Sequence, residues 1–342
     1  MSEETSNRKK DHLELCLTDK VKFKEKTTGF EKYDFMHYAI TEIDIKAIDF
    51  STKFFNKWIN YPFIISSMTG GAEKAEQINY QLASAANELN IPIGVGSQRQ
   101  LLENDKYLRS YKIIRQQAKN IPVLGNLGMA EIVNAKVDDI KKLIDVIEAD
   151  AFLVHLNPAQ ELLQPEGNVA FKGFLKNCKK IINEIDIPFI AKEVGAGISE
   201  EAAERLLEIG FQGIDVAGAG GTSWSGVEIL RNNNLNSDFW DWGLPTSYCI
   251  KKIKMLKYGY NFVLIGSGGI NNAFDMAKAF ALGADYTASA RTLLKAVHNG
   301  GEKEVVDLIK GWFETLKKIM LLTNSNSIQE LSSKIVKKEE LY

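Results

Sequence analysis

The chain has 342 residues, 45 % of them hydrophobic and 25 % charged, with a formal net charge of −2. This is the composition of an ordinary globular protein, and the small net charge excludes a general electrostatic attraction to nucleic acid or to an anionic membrane. The three cysteines, Cys16, Cys178 and Cys249, are odd in number and show no CxxC spacing. This argues against a disulfide framework and a zinc site and fits a reducing compartment.

Residues 1–50 are predicted to be an irregular leader whose apolar part closes one end of the fold that follows. The segment opens on MSEETSNRKKDH, which has no apolar signal core, and no later stretch reaches the roughly 18 apolar residues of a membrane-spanning helix. We therefore expect a cytoplasmic protein without a membrane partner. The basic cluster RKKDH has two interpretations, a solvated arm or a binding site for a polyanion.

Eight short apolar, β-branched runs follow along the chain. They are PFIIS at residue 62, IPIGVG at 91, IPVLGN at 121, AFLVHL at 151, IPFIAKEVG at 187, GIDVAGAGG at 213, FVLIGSGG at 262 and ADYTASA at 284. Continuous apolar character is typical of parallel strands that are covered on both faces. Helical patterns lie between them, such as SEEAAERLLEIG with its N-cap Ser199 and its stop signal Gly210. Eight strand and helix units favour an α/β fold of the (β/α)8 TIM-barrel type over an open doubly wound sheet.

The barrel is predicted to span residues 51–302. A long interruption after the sixth run, residues 222–247, is too rich in Trp, Asn and Gly for a simple turn and is predicted to be an active-site lid. Residues 303–342 contain GGEKEVVDLIKGWFETLKKIMLL, whose helical periodicity predicts one or two C-terminal helices.

The ends of the predicted strands are the place to look for chemistry, because barrels of this type carry their functional groups at the carboxyl ends of the strands. All eight ends are polar or glycine-rich: SSMTGG, GSQR, GNLG, HLNPAQE, KEVGAG, GAGGTSW, GSGGI and ASAR. Turn geometry explains single glycines such as Gly70 or Gly128, but not the whole set. The set predicts one large binding site.

The loops after the seventh and eighth strands predict a phosphate site. GSGGI and ASAR place glycines and a helix amino terminus where these barrels bind phosphate, so that backbone N–H groups can approach an anion. GAGGT after the sixth strand is a weaker signal, since it lacks the GxGxxG spacing of a dinucleotide motif.

Lys192 ends the fifth strand inside an apolar run, where an unpaired ammonium is costly. Its partner is the adjacent Glu193, another barrel carboxylate, a bound anion, or an electron-rich ring such as the N1–C2=O edge of a reduced flavin. Asn126 and Thr69, at two other strand ends, are placed to hydrogen-bond the same ring. A phosphate beside strands seven and eight, with a planar ring over the barrel mouth, predicts FMN, and no nucleotide half for FAD is evident.

HLNPAQE, after the fourth strand, predicts a second anion site. His155 and Asn157 are two apart in an extended segment, so their side chains point the same way. Taken singly, His155 is also compatible with an ordinary interior histidine and Glu161 with a helix start. With the cations of RKKDH and Arg99, the cluster fits a polyanion, and Glu161 then needs a hard divalent cation such as Mg²⁺ between itself and that anion.

In this order and spacing, RKKDH, SSMTGG, GVGSQR, GNLG, HLNPAQE, KEVGAG, DVAGAGGTSW and GSGGI resemble the type 2 isopentenyl-diphosphate isomerases, which are FMN-dependent (β/α)8 barrels. The resemblance spans about residues 7–295, and HLNPAQE and RKKDH are its most specific parts. It implies interconversion of isopentenyl diphosphate and dimethylallyl diphosphate without net redox change. It also implies reduced FMN, Mg²⁺, NADPH as the flavin reductant, and a homo-oligomer that is tetrameric or larger.

The resemblance assigns roles to individual residues. The substrate would be bound by Gln160 and, at its diphosphate, by Arg8, Lys9, His12, Ser97, Arg99, His155 and Asn157, with Glu161 on the Mg²⁺. FMN would be held by Ser67, Met68, Thr69, Ser97, Asn126, Lys192, Thr222, Ser267, Gly268, Gly269, Ile270, Ala288, Ser289 and Ala290. Gln160 would lie beside the allylic carbon as the catalytic residue. Asn271 departs from the arginine that often follows SGGI in the family, which affects one phosphate or surface contact and not the reaction.

The isomerisation adds a proton to an unactivated alkene and removes another two carbons away. Because Glu161 and Glu193 are the only evident acids at the barrel mouth, we predict flavin acid–base catalysis assisted by Gln160, with Lys192 favouring the anionic reduced flavin. One alternative is an FMN-dependent barrel oxidoreductase acting on a phosphorylated or 2-hydroxy-acid substrate, although no cysteine follows strand six directly and no histidine stands near strands six to eight. Another is a non-catalytic flavin-binding sensor, which leaves the second anion cluster unexplained.

Overall fold

A computed structural model of the chain describes residues 2–71, 73–232 and 237–341. The first and last residues, residue 72, and residues 233–236 of the predicted lid lie outside the described part. The strands are β1 (Tyr33–Phe35), β2 (Thr52–Phe54), β3 (Lys57–Ile59), β4 (Phe63–Ile65), β5 (Ile93–Gly94), β6 (Val123–Gly128), β7 (Ala151–Leu156), β8 (Phe189–Glu193), β9 (Gly213–Asp215), β10 (Val263–Gly266), β11 (Tyr286–Ser289) and β12 (Ile335–Lys337). The α-helices are α1 (Ser2–Leu17), α2 (Glu73–Leu89), α3 (Arg99–Glu103), α4 (Arg109–Gln117), α5 (Met129–Ile132), α6 (Val137–Ile147), α7 (Pro158–Leu163), α8 (Phe174–Glu184), α9 (Glu200–Glu208), α10 (Trp224–Arg231), α11 (Thr246–Ile253), α12 (Ala273–Leu282) and α13 (Arg291–Thr323). Short 3-10 helices cover Asp19–Val21, Phe30–Lys32, Ser237–Phe239, Lys254–Tyr258, Gln329–Ser333 and Lys338–Glu340.

Strands β4 to β11 form a closed barrel, hydrogen-bonded in the order β10, β11, β4, β5, β6, β7, β8, β9. Every neighbouring pair is parallel. Each strand coincides with one of the eight apolar runs of the sequence, with β6 extending two residues past its run, and α-helices connect successive strands. The predicted (β/α)8 TIM barrel is confirmed.

Successive side chains of a strand point to opposite faces, so the apolar residues of the strands are divided between two cores. One set points outward against the helices, and a smaller set fills the barrel interior, including Ile64, Leu124, Leu153, Ile190 and Ile265. Because side chains alternate with a period of two, the next interior positions toward the carboxyl ends are Ser66, Asn126, His155, Lys192 and Ser267. The interior therefore changes from apolar to polar at one end of the barrel.

The opposite end of the barrel is closed by the hairpin of β2 and β3. Phe54 and Ile59 of this hairpin pack on the interior cluster, and Phe54 meets the ring of Tyr286 edge to face at a centroid distance of 5.1 Å. A backbone carbonyl of the hairpin also accepts the hydroxyl of Tyr286. The apolar plug thus lies just after the predicted leader of residues 1–50, while α1 of that leader lies at the other end of the barrel.

The C-terminal segment differs in detail from the predicted one or two helices. Helix α13 begins at Arg291 and continues to Thr323, interrupted at Gly301, whose φ of 69° and ψ of −153° are not helical. The expected boundary between residues 302 and 303 therefore lies just past that break, inside a single periodic run. After α13, strand β12 pairs antiparallel with β1, which fastens the leader to the C-terminal segment. The division into leader, barrel and C-terminal units stays a prediction.

The predicted lid is largely ordered where it is described. It contains α10, the 3-10 turn Ser237–Phe239 and the start of α11. Ser223 caps α10 by accepting the N–H of Gly226, and its hydroxyl donates to the Trp240 carbonyl at 2.6 Å. Among the helices that the structure describes, none is long and apolar enough to cross a membrane.

Candidate active site

A cavity opens at the carboxyl ends of the barrel strands, between the barrel, α1 and α10. It brings together every site residue singled out from the sequence: Arg8, Lys9, His12, Ser67, Met68, Thr69, Ser97, Arg99, Asn126, His155, Asn157, Gln160, Glu161, Lys192, Thr222, Ser267, Gly268, Gly269, Ile270, Ala288, Ser289 and Ala290. Asn271, the departure from the family pattern, also lines it. Residues at, or just past, the carboxyl ends of the eight barrel strands thus share one space with residues of the leader.

Backbone groups dominate the end of the cavity beside β10 and β11. Gly268 and Gly269 have φ of 93° and 74°, conformations that favour glycine. A Cβ on Gly268 would lie 2.2 Å from the Gly218 carbonyl oxygen, and one on Gly221 would lie 2.5 Å from the Gly269 nitrogen. Helix α13 begins here with no side-chain cap, so its first N–H groups remain available. Open N–H groups, a helix amino terminus and closely packed glycines fit a phosphate group.

Lys192 and Ser267 lie at the floor of the cavity. The Lys192 ammonium donates to the Glu193 carbonyl at 2.7 Å, and its Nζ lies 3.7 Å from Asp215 Oδ2. The Glu193 carboxylate points elsewhere and accepts the N–H groups of the loop that follows β8, at 2.6 Å from Val194. Asp215 is therefore the carboxylate partner of Lys192, which sequence reasoning left open between Glu193 and another barrel residue.

Burial acts strongly on the Glu193 carboxyl. It raises the pKa of this group to about 7, against the backbone N–H donors of residues 194–196, which favour the ionised form. The charge of Lys192 also favours the ionised form of Glu193, and Val194 and Gly195 of this loop line the cavity.

Asn126 and His155 form a second polar contact at the floor. His155 Nδ1 and Asn126 Oδ1 are 2.9 Å apart, while the Asn126 amide nitrogen donates to the Val95 carbonyl at 3.0 Å. Because the amide oxygen is thereby left to accept, His155 carries its proton on Nδ1. Burial, with the charge of Lys192 next in importance, lowers the pKa of His155 to about 3. The ring is neutral here, and an anion bound beside it would favour its protonation.

Helix α1 lies over the mouth of its own barrel. The Lys9 ammonium donates to the Ser97 carbonyl at 3.2 Å, to the Tyr111 hydroxyl at 3.0 Å and to the Gly70 carbonyl. Burial, followed by the charge of Arg8, lowers the pKa of Lys9 to about 7. Within the basic cluster of the leader, Arg8, Lys9 and His12 line the cavity, while Lys10 and Asp11 are exposed.

Arg99 is already paired with carboxylates. Its Nη1 lies 3.1 Å from Glu131 Oε1, and its Nε lies 3.6 Å from Glu103 Oε1. Burial raises the pKa of Glu131, opposed by the charge of Arg99. Glu131 lines the cavity and was missed in the sequence, because a glutamate on the short helix after GNLG carries no signal of its own.

Gln160 is oriented by a carboxylate of the lid helix. Its Nε2 lies 3.2 Å from Glu228 Oε1, which also lies 2.8 Å from His12 Nε2. The Gln160 amide nitrogen thus donates to Glu228, and its oxygen accepts the Asn157 amide at 3.4 Å and keeps one further lone pair for a ligand. Burial acts to raise the pKa of Glu228. The hydrogen bond and charge of His12, together with the charge of Arg231, outweigh burial and lower this pKa. Glu228 is fully buried and was also missed. Its one sequence signal is a carboxylate inside the apolar stretch SGVEIL.

Glu161 is a buried carboxylate with partners of its own. Its Oε1 accepts the Asn157 amide at 3.0 Å, and its Oε2 accepts the backbone N–H of Asn168 at 2.7 Å. In the described residues no group of three or more His, Cys, Asp or Glu side chains is arranged to hold a metal ion. Two buried polar atoms beside Glu161, Asn157 Oδ1 and Gln164 Nε2, have no hydrogen-bond partner. Orphaned atoms in a polar cavity indicate a place for a ligand.

Comparison with known proteins shows which protein family this chain belongs to. The family model for FMN-dependent dehydrogenase matches residues 1–104 and 168–338. A mandelate oxidase variant with a monooxide FMN adduct is 15 % identical, with a TM-score of 0.64 over 92 % of this chain and 90 % of that one. A flavocytochrome b2 variant with sulfite bound is 17 % identical, with a TM-score of 0.70 over 95 % and 82 %. These structures share the fold. The chain belongs to the FMN-dependent dehydrogenase family.

Curated relatives point to one group of enzymes within this family. An isopentenyl-diphosphate delta-isomerase of Pelodictyon phaeoclathratiforme is 42 % identical over 346 residues, covering 96 % of each chain. Proteins of the same name from Pyrococcus abyssi and Pyrococcus furiosus are 41 % and 42 % identical and cover 97 % and 95 % of this chain, or 92 % and 84 % of their own. Within its family the chain thus belongs with the isopentenyl-diphosphate delta-isomerases, and the resemblance seen in the sequence is confirmed.

Proposed function

We propose that the protein is an enzyme that interconverts isopentenyl diphosphate and dimethylallyl diphosphate. The observation that carries this proposal is a single cavity with two anion-binding ends of different construction and the Gln160 amide near the charged end. A flavin phosphate accounts for the glycine-lined end. The charged end then has room for a second polyanion, which agrees with the name that the full-length relatives bear.

The residues present fit FMN. The glycine-lined end suits its phosphate, and the floor formed by Asn126, Lys192 and Thr69 offers hydrogen bonds to the edge of its ring. When bound and reduced, FMN supplies an electron-rich ring that stabilises positive charge and a nitrogen, N5, that carries a proton. Thr222 and residues 288–290 complete the proposed cofactor contacts.

The charged end is proposed to hold the substrate diphosphate. Arg8, Lys9, His12, Ser97 and Arg99 reach it from α1 and from the loop after β5, and His155 and Asn157 reach it from β7. Ammonium and guanidinium groups are suited to phosphate oxygens, and arginine binds them with two parallel hydrogen bonds. Without a diphosphate, these cations contact carbonyl and carboxylate groups of the protein. A bound diphosphate would take the place of those groups.

Mg²⁺ is proposed to join Glu161 to the diphosphate. A magnesium ion keeps several waters and takes one or two carboxylates together with substrate phosphates, so a lone carboxylate is a sufficient protein contribution. The orphaned Asn157 Oδ1 is a further oxygen beside Glu161. This donor set fits a metal that enters with its substrate.

Gln160 is proposed to hold and pass a proton at the allylic carbon. Glu228 fixes the Gln160 amide nitrogen, so the amide oxygen faces the cavity with a set direction. Lys192 would place a positive charge against the reduced ring and favour its anionic form. α1 and α10 cover the reacting carbons, and water exclusion protects a carbocation-like state from capture.

The alternative is an oxidoreductase acting on a 2-hydroxy acid, as the fold relatives suggest. Such chemistry needs a base placed to remove a proton from the substrate. The histidines that line the cavity of the described chain are His12 and His155, and His12 is committed to Glu228 at 2.8 Å. Neither lies on β9, β10 or β11. Together with the names of the 42 % identical relatives, this favours the isomerase.

We further propose NADPH as the flavin reductant, a cytoplasmic location and a homo-oligomer. Buried, unpaired cysteines agree with a reducing compartment. Exposed aromatic residues, such as Tyr258 at 89 % and Trp242 at 59 % exposure, offer surfaces for self-association. The reductant rests on the family resemblance alone.

The decisive experiment is an anaerobic assay of the purified protein with isopentenyl diphosphate, FMN, Mg²⁺ and dithionite or NADPH. Dimethylallyl diphosphate formed over many turnovers, while the flavin spectrum stays reduced, is the expected result. The contrary result is that no dimethylallyl diphosphate forms and the flavin reoxidises stoichiometrically with another phosphorylated or 2-hydroxy-acid acceptor. The protein would then be an oxidoreductase, and the proposed isomerase activity would be wrong. Binding of FMN without binding of any diphosphate would favour a sensor.

A further inference from the structure

Asp215 lies beneath the lining of the cavity and connects two residues that form its floor. It is the last residue of β9 and is 3 % exposed. Its Oδ1 accepts the Ser267 hydroxyl and the backbone N–H of Ala217, the latter at 3.3 Å, and its Oδ2 lies 3.7 Å from Lys192 Nζ. Asp215 itself does not line the cavity, so it acts on a ligand only through these neighbours.

The barrel register brings the three side chains together. Asp215 pairs with Lys192 of β8 on one side and with Ile265 of β10 on the other. Ser267 is two residues beyond Ile265, so it points into the same interior layer. Three neighbouring strands therefore each contribute one polar group to a layer directly above the apolar interior.

Lys192 and Asp215 form a buried ion pair in which each charge stabilises the other. Lys192 is the one cation within 4.0 Å of Asp215 among the described residues. Removing one partner of a buried pair leaves an unpaired charge in a dry environment, which is far more costly than removing both. Burial raises the pKa of Asp215, opposed first by the charge of Lys192 and then by the Ser267 hydrogen bond.

We propose that Asp215 is a positioning residue that holds the Lys192 ammonium directed into the cavity, and so sets the preference of the site for reduced over oxidised flavin. This inference rests on the proposed function, in which Lys192 lies against the flavin ring. A cation at that edge stabilises the added electrons of the reduced ring. Asp215 supplies the counter-charge from below, on the side away from the cavity.

The other titratable groups near Lys192 do not duplicate this role. His155, on the neighbouring strand β7, is neutral because burial and the charge of Lys192 lower its pKa to about 3. The Glu193 carboxylate faces the N–H groups of residues 194–197. Arg8 and Lys9 line the same cavity from α1 and add positive charge to it. Although the charge of Lys192 also acts on Glu193, Asp215 is the carboxylate within 4.0 Å of the Lys192 ammonium among the described residues.

The test compares the dissociation constants of oxidised and reduced FMN from pH 6 to 9 in the wild type and in Asp215→Asn. Without the carboxylate below it, the Lys192 ammonium is no longer held toward the ring edge. The preference for reduced FMN should therefore fall by about tenfold relative to the wild type at each pH.

Matched variants separate the possible failures. Asp285→Asn removes a carboxylate at the opposite end of the barrel, 2.6 Å from Lys257 Nζ, and should leave the pH profile unchanged. If Asp215→Asn gives the same profile as Asp285→Asn, the inference is wrong. If Lys192→Met also leaves the preference for reduced FMN intact, Lys192 does not contact the ring and the proposed flavin placement fails instead.

The double variant Lys192→Met/Asp215→Asn keeps the test valid if the single variant is unstable. With both charges gone, its free energy of unfolding should equal or exceed that of Asp215→Asn alone. Additive losses in a denaturant titration would show that the two residues act independently and would overturn the inference.

Discussion

The two ends of the cavity offer anions different kinds of partner. At the end beside β10 and β11 the groups are backbone N–H donors of glycines that no larger residue can replace without a clash. Arg291, which lines this end, donates instead to the Cys16 carbonyl at 2.9 Å and the Thr18 carbonyl at 2.6 Å. At the other end the groups are charged side chains, carried mainly by α1 and by the loop after β5.

This difference agrees with how long each proposed ligand stays bound, a cofactor at one end and a substrate at the other. Backbone donors fixed by barrel geometry are preorganised and suit a cofactor that stays bound. Side-chain cations have alternative partners, as Lys9 has the Ser97 carbonyl and Arg99 has Glu131, so they exchange partners as a substrate enters and leaves. The glycine-lined end therefore depends on shape, and the charged end on charge.

The largest expected effect is at the glycine-lined end. In Gly268→Ala the new methyl group would lie 2.2 Å from the Gly218 carbonyl oxygen and 2.4 Å from its nitrogen, at a φ of 93°. Overpacking and backbone strain together cost about 3 kcal/mol or more, so FMN affinity should fall by at least about 100-fold. Titration of the apoprotein with FMN, followed by flavin fluorescence, measures this.

Gly173→Ala is the control for backbone strain. Gly173 has a similar φ of 96° but has no atom within 4 Å of the added methyl group. Its FMN affinity should match the wild type. Equal losses in the two variants would show that general strain, not the shape of the loop, limits binding.

The next effect concerns Gln160, which lies near the charged end. Gln160→Ala removes the amide whose nitrogen is held 3.2 Å from Glu228 Oε1. Loss of an assisting proton-transfer group should lower kcat about 100-fold, with little change in FMN affinity. Steady-state assays under anaerobic conditions give both kcat and KM. Full activity in both Gln160→Ala and Gln160→Glu would remove Gln160 from the mechanism.

Sequence patterns predicted the barrel and the residues around the cavity for a physical reason. A parallel strand covered on both faces needs a continuous apolar run, and eight such runs are visible. Because every carboxyl end meets at one rim, polar residues after each run had to converge, as Asn126, His155 and Lys192 do. The glycine loop after β10 was readable for the same reason.

Residues defined by distant contacts were not predictable. Glu228 becomes part of the site through a hydrogen bond to His12 across 216 positions of sequence, and Asp215 through strand register. Glu228 lies outside the motifs read from the sequence, and the motif DVAGAGGTSW, which begins at Asp215, gives no sign that this carboxylate faces Lys192. The break at Gly301 was missed because helical periodicity continues across it, although the backbone there is not helical.

A pH effect should distinguish the two ends. Since burial lowers the pKa of Lys9 to about 7, its charge is present below pH 7 and is lost as the pH rises. The KM for isopentenyl diphosphate should then rise between pH 7 and 8 by up to about tenfold, while the FMN dissociation constant at the glycine-lined end stays level. In Lys9→Met the KM should be high at both values. A pH-dependent KM that persists in Lys9→Met would assign the titration to another group.

The smallest expected effect is on stability and concerns His155, between the two ends. Burial and the charge of Lys192 lower its pKa to about 3, so the folded ring stays neutral at pH 5.5 while the unfolded ring binds a proton below about 6.5. A depressed histidine pKa therefore destabilises the fold as the pH falls. Between pH 7.5 and 5.5 the wild type should lose about 1.4 kcal/mol more free energy of unfolding than His155→Gln, measured by urea denaturation. His298→Gln, at an exposed histidine, should follow the wild type. If all three proteins lose stability equally, His155 binds its proton in the folded state, and the cavity floor is more hydrated than its contacts indicate.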